Sequence, residues 1–188
     1  MFRRMFRAAA LDSDFFDIAE HDRSLNREAF AVVLIANMFA AVGAWIGFGD
    51  VVGSGLWEAI RGWFGFGSLP TSSQGGFLGV IATNMVVAVI SWIVWAATTT
   101  VIGTRVFRGT TNFGEMLRVL GYAQAPRVIA VVPLLGPVAG IWTLAASVIA
   151  IRQGLDFDTR RAIGSAIGGW LLWVLLQFGV SIIGASIF

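Results

Sequence analysis

At 188 residues the chain has the length of a single domain, and 57% of it is hydrophobic, with a mean hydropathy of +0.80. Soluble domains hold roughly 45–50% apolar residues, so this much apolar surface requires lipid as its solvent. The 13 cations are all Arg, the formal net charge is +2, and the charges are scattered between apolar blocks rather than gathered on one basic face. That excludes a nucleic-acid partner and points to a membrane protein.

The chain divides into an N-terminal segment, residues 1–28, and a membrane domain, residues 29–188. The start, MFRRMFR, is basic but has no apolar run before Asp12, so it is not read as a cleavable signal peptide. Phe2, Met5, Phe6 and Ala9 share one helical face, with Arg3, Arg4 and Arg7 elsewhere on the wheel. This pattern fits an interfacial anchor on an anionic leaflet, or an ordered helix start. Residues 12–22 add five acids with Phe15, Phe16 and Ile18. They read as a solvated capping helix, or as a docking site for a basic partner.

Residues 29–48 and 76–103 form the first two expected spans, and residues 164–188 the last. Between the first two, residues 49–75 contain an apolar stripe of Leu56, Trp57, Ile60, Trp63 and Phe64, the pattern of a helix lying in the interface or over the bundle. Residues 117–151 would be ~52 Å long as one helix, too long for a single crossing of a ~30 Å core. Pro133 to Pro137, with Gly136 between them, is the natural turn, which splits the stretch into spans at about 117–132 and 135–151. The result is an all-α polytopic protein with five transmembrane helices, N-terminus cytosolic and C-terminus outside. The positive-inside rule favours it: Arg3, Arg4, Arg7, Arg23, Arg27, Arg105, Arg108, Arg118, Arg152, Arg160 and Arg161 fall on one side, and only Arg61 in an outer segment.

Chemistry is sparse. Arg127 is the sole ionisable residue expected inside a span, close enough to its outer end to snorkel. Asn37, Asn84, Gln124 and Gln177 place one amide in each of four spans, and Ser91 continues the small polar stripe of Asn84. Such groups either bond across helices or line a polar cavity for a lipid headgroup or small solute. Ala36/Ala40, Gly43/Gly47, Gly136/Gly140, Gly164/Gly168 and Ser165/Gly169 are small-xxx-small pairs that allow close packing, within one bundle or in a homo-oligomer. Asp156 and Asp158 lie among Arg152, Gln153, Arg160 and Arg161 in the last cytosolic loop, where ion pairing and capping account for them. The chain has no Cys and one His, His21, so the expectation is no metal site, no cofactor and no enzymatic activity.

Gly121-Tyr122-Ala123-Gln124-Ala125-Pro126, the turn of Pro133, Gly136 and Pro137, Ile141-Trp142, and Arg152-Gln153-Gly154-Leu155-Asp156-Phe157 together resemble the Yip (Ypt/Rab-interacting protein) family of multi-pass membrane proteins, in its bacterial branch. The resemblance covers about residues 10–185. It implies a five-helix bundle with a cytosolic N-terminus, in the bacterial cytoplasmic membrane. In eukaryotes it implies adaptors that bind small GTPases and shape or sort vesicles, work that needs no catalytic residue. The eukaryotic branch carries a long N-terminal region with an acidic D-L-x-G-P motif. This chain has neither, and its one LGP, Leu135-Gly136-Pro137, falls in the outer turn. That counts against small-GTPase binding. The expected role is a non-enzymatic scaffold or accessory subunit that engages membrane lipids and other membrane proteins. The alternative is a transporter or channel for a neutral or lipidic solute, lined by the amides.

Overall fold

The computed structural model describes residues 1–45, 77–132 and 135–172. Among these residues there are only helices: α1 (Phe2–Ala9), α2 (Ser13–His21), a 3-10 turn (Arg23–Leu25), α3 (Asn26–Trp45), α4 (Phe77–Arg105), α5 (Phe113–Tyr122), a 3-10 helix (Ala125–Val131), α6 (Gly136–Gly154) and α7 (Thr159–Leu172). Residues Arg23–Gly43 and Met85–Arg105 are long and apolar enough to cross a membrane, and α6 with α7 would make a third span if that pair, bent by 113°, were one broken span. The expected interfacial stripe of Leu56 to Phe64, Pro133, Gly47 and Gln177 lie outside the described residues.

Helix α4 shows why lipid is the solvent. Leu78, Val86, Ile90 and Val101 are all at least half exposed along it, as is Ile141 on α6. The inward faces use small residues instead. A Cβ on Gly169 would stand 2.6 Å from Thr99 Oγ1, and one on Gly168 would stand 3.0 Å from Ile102, so α7 packs closely on α4. Gly164/Gly168 and Ser165/Gly169 therefore act within the bundle. Gly140 has open space around its Cβ position and makes no such contact among the described residues.

The third expected span departs from a plain α-helix over 117–132. Helix α5 begins at Phe113, because Asn112 and Glu115 form a reciprocal capping box. It ends at Tyr122, and the chain continues as a 3-10 helix with Pro126 in its first turn. Proline has no N–H to donate and its ring opposes the α-helical carbonyl four residues back, so the tighter i to i+3 pattern takes over, as in the Arg127 N–H bond to the Gln124 carbonyl at 2.9 Å. Helix α7 begins five residues earlier than the sequence suggests, with Asp158 Oδ1 accepting from the Arg161 amide at 3.3 Å.

Candidate functional site

The two motif stretches meet at one end of the bundle, where the N-terminal segment closes over them. Asp12 caps α2 by accepting from the Phe15 amide at 3.2 Å and takes Arg7 Nε at 2.6 Å. This fixes α2 with Phe15, Phe16 and Ala19 turned inward and fully buried. Phe15 meets Tyr122 edge-on, with ring centroids 4.9 Å apart, a favourable aromatic geometry. Arg4 reaches Glu28 at 2.7 Å, which ties α1 to the start of α3. Segment 1–25 therefore shares its core with the bundle, and α2 is not the solvated helix its acids suggest. The face expected on α1 also divides: Met5 is buried with Ala8, while Phe2 and Phe6 are 73% and 75% exposed.

Arg118 is the centre of this arrangement. It is only 3% exposed, and its guanidinium donates from Nε to the Ala19 carbonyl at 2.9 Å, from Nη1 to Asn26 Oδ1 at 3.0 Å, and from Nη2 to the Glu20 carbonyl. The last carbonyls of a helix lack intrahelical partners and carry the negative end of its dipole, so a planar cation suits them. A cation of the chain itself thus meets this end of α2, through its carbonyls rather than its acids. Sequence reasoning placed Arg118 among the loop charges, although the Asn112-x-x-Glu115 cap before it marks a helix start that would put it on an inward face.

The remaining motif residues are occupied with packing. A Cβ on Gly121 would press on Ala29 and Trp92 at 3.0–3.3 Å, so α5 approaches α3 and α4 closely there. Gln124 Oε1 accepts from Arg127 Nη1 at 3.1 Å, Pro126 is buried, and Pro137 starts α6 exposed to the surroundings. Leu155 and Phe157 fill the space left by missing side chains at Gly103 and Gly109, within 2.6–2.8 Å of where a Cβ would stand. Between them Asp156 turns the chain at φ 52° and accepts from Thr110 Oγ1 at 3.4 Å. Gln153 Nε2 donates to the Ser13 carbonyl at 3.3 Å, a second tether for α2. Asp158 pairs with Arg161 at 3.7 Å, Arg160 is exposed, and Arg152 is half-buried.

Among the described residues, Asn37 and Gln124 do not share a cavity. Asn37 is buried and donates to the carbonyl of Val33 in its own helix at 2.8 Å, and Gln124 is held by Arg127. Ser91 is half-buried on α4, while the side chain of Asn84 and all of Gln177 lie outside the described residues. Ser147, on α6, likewise bonds back within its helix, to the Thr143 carbonyl at 2.7 Å. A half-open cavity of about 230 Å³ lies elsewhere, beside Arg118, Asn26 and Trp92.

Glu20 is a group that sequence reasoning missed. It is 5% exposed, and burial, together with the charges of Asp156, Glu115 and Asp17 and against that of His21, pushes its carboxyl up to about 7. His21 beside it is held above its ordinary value, chiefly by its bond to the Asp17 carbonyl and then by Glu20.

No curated protein and no solved structure matches this chain. The family model described as the Yip1 domain matches residues 12–181, from the cap of α2 through both motif stretches, and the chain belongs to the Yip1 domain family.

Proposed function

We propose that this Yip1 domain protein is a non-enzymatic scaffold or accessory subunit of a membrane complex, built on five spans, with the charged end in the cytosol and the C-terminus outside. The observation that carries the reading is the use made of the motifs. Tyr122, Gln153, Leu155 and Phe157 all hold the N-terminal segment or neighbouring loops in place. A shaped, fixed surface at the end of a bundle suits the binding of other membrane proteins. A solute pathway would gather its amides around a cavity, whereas Asn37 and Gln124 bond locally. On this reading the 113° bend between α6 and α7 is the cytosolic Asp156 loop between the fourth and fifth spans. Phe2 and Phe6 stand outward on a helix that also carries Arg3, the chemistry of an anionic leaflet surface.

The absence of native cysteine makes the topology directly testable. Asp14→Cys and Arg160→Cys should resist an impermeant thiol reagent in intact cells and react after permeabilisation, while Arg61→Cys should react in intact cells. Labelling of Asp14→Cys from outside would overturn the orientation. For the role itself, purification of the tagged full chain from native membranes in mild detergent should bring down a stoichiometric membrane-protein partner or a defined oligomer. A lone monomer would overturn the scaffold reading.

A further inference from the structure

The geometry points to a divalent transition-metal site at the C-terminal end of α2, made by Asp17, Glu20 and His21. One carboxylate oxygen from each acid and a ring nitrogen of His21 lie within 4.8 Å of one another. The spacing i, i+3, i+4 brings the three onto one helical face. Two carboxylates and one imidazole leave room for water in a fourth position, a donor set suited to Zn²⁺ and its first-row neighbours.

One observation beyond the clustering of acids points to a ligand, the state of Glu20. Its side chain is 5% exposed, and Oε2 is shut off from solvent with no hydrogen-bond partner among the described residues. A buried carboxylate oxygen without a donor is costly unless it is protonated or meets a cation. Arg118, whose guanidinium packs against this end of α2, is engaged with the Ala19 and Glu20 carbonyls and Asn26. Asp156 and Glu115 add further negative charge facing Glu20.

The histidine geometry is compatible with ligation. His21 Nδ1 lies 3.0 Å from the Asp17 carbonyl, which can only accept, so Nδ1 carries a proton and, in the neutral ring, Nε2 holds the lone pair. A histidine that donates one ring N–H to a backbone carbonyl and offers the other nitrogen is the usual arrangement of a metal ligand. The Arg118 fork binds the Ala19 and Glu20 carbonyls, so the helix end that carries Glu20 is held by its backbone before any ion arrives.

The full-length protein, purified in detergent and stripped with chelator, is titrated with Zn²⁺ by calorimetry. One Zn²⁺ per chain should bind, and His21→Ala should weaken binding by about 10–100-fold or more. His21 is exposed, so this variant tests ligation without threatening the core. Glu20→Gln, which keeps the shape of the side chain, should weaken binding similarly, and Asp14→Asn should leave it unchanged. Absence of stoichiometric Zn²⁺ binding overturns the proposal. So does binding that survives both His21→Ala and Glu20→Gln, or a site that takes Mg²⁺ as tightly as Zn²⁺.

Discussion

Replacing Arg118 with Met should release the N-terminal segment from the bundle while leaving the spans helical. The substitution keeps the length and apolar stem of the side chain and removes all three donated hydrogen bonds. Bonds from a charged donor contribute roughly 1.5–3 kcal/mol each and are not additive, and removing one partner of a buried charged group costs on the order of 3–5 kcal/mol. The carbonyls of Ala19 and Glu20 would be left at the buried end of α2 with no donor. Arg118→Lys should restore little, because an ammonium on a flexible stem cannot span acceptors that a planar fork reaches together. Hydrogen exchange should report the loss as faster exchange over residues 13–25, with α4 unchanged. Unchanged protection of α2 in Arg118→Met would show that Phe15 and Phe16 hold the segment without the fork. Asn26→Ala removes one of the three acceptors and should give a smaller effect of the same kind.

The contrast between Arg118 and the apolar blocks shows which parts of this molecule are legible in its sequence. Helices α3, α4 and α6 lie close to where runs of apolar residues place them, because lipid rewards such runs whatever surrounds them. The resemblance also stood on residues that prove to be structural: Gly121 for a close approach, Tyr122 for the contact with Phe15, Leu155 and Phe157 for the glycine gaps. What the sequence conceals is where the charged residues go. Arg118 looks like a flanking charge by position and becomes buried because α5 starts at Phe113. Glu20 looks solvated among its acidic neighbours and is buried because α2 turns that side toward α5 and the Asp156 loop. His21 was set aside for want of a second His or Cys, yet its neighbours at i−1 and i−4 are carboxylates. The amides, by position alone, leave packing and a shared cavity both open, and the one on α3, Asn37, satisfies itself one turn back on its own helix.

Gly43→Ala should be the most damaging single-methyl change in the described bundle. A Cβ at Gly43 would stand 2.0 Å from the Ala130 carbonyl oxygen and 2.9 Å from the Ala130 carbonyl carbon and Val131 Cα. All three are backbone atoms, so no rotamer change can make room. The 3-10 helix itself would have to move off α3. Overpacking of this kind costs about 1–3 kcal/mol and more where the backbone must shift. The requirement follows from Pro126. By ending α5 it forces the chain to cross beside α3 as a tighter helix. Gly43 allows that helix's backbone to approach α3 directly. Gly140→Ala supplies the matched control, since its Cβ would meet nothing within 4 Å. In a helix interior that change should be neutral or stabilise by up to about 1 kcal/mol through propensity alone. Thermal unfolding of both variants in the same detergent separates the two effects. Gly43→Ala should lower the midpoint and Gly140→Ala should hold or raise it. If the two behave alike, the close crossing of α3 and the 3-10 helix is not what holds the third segment in place.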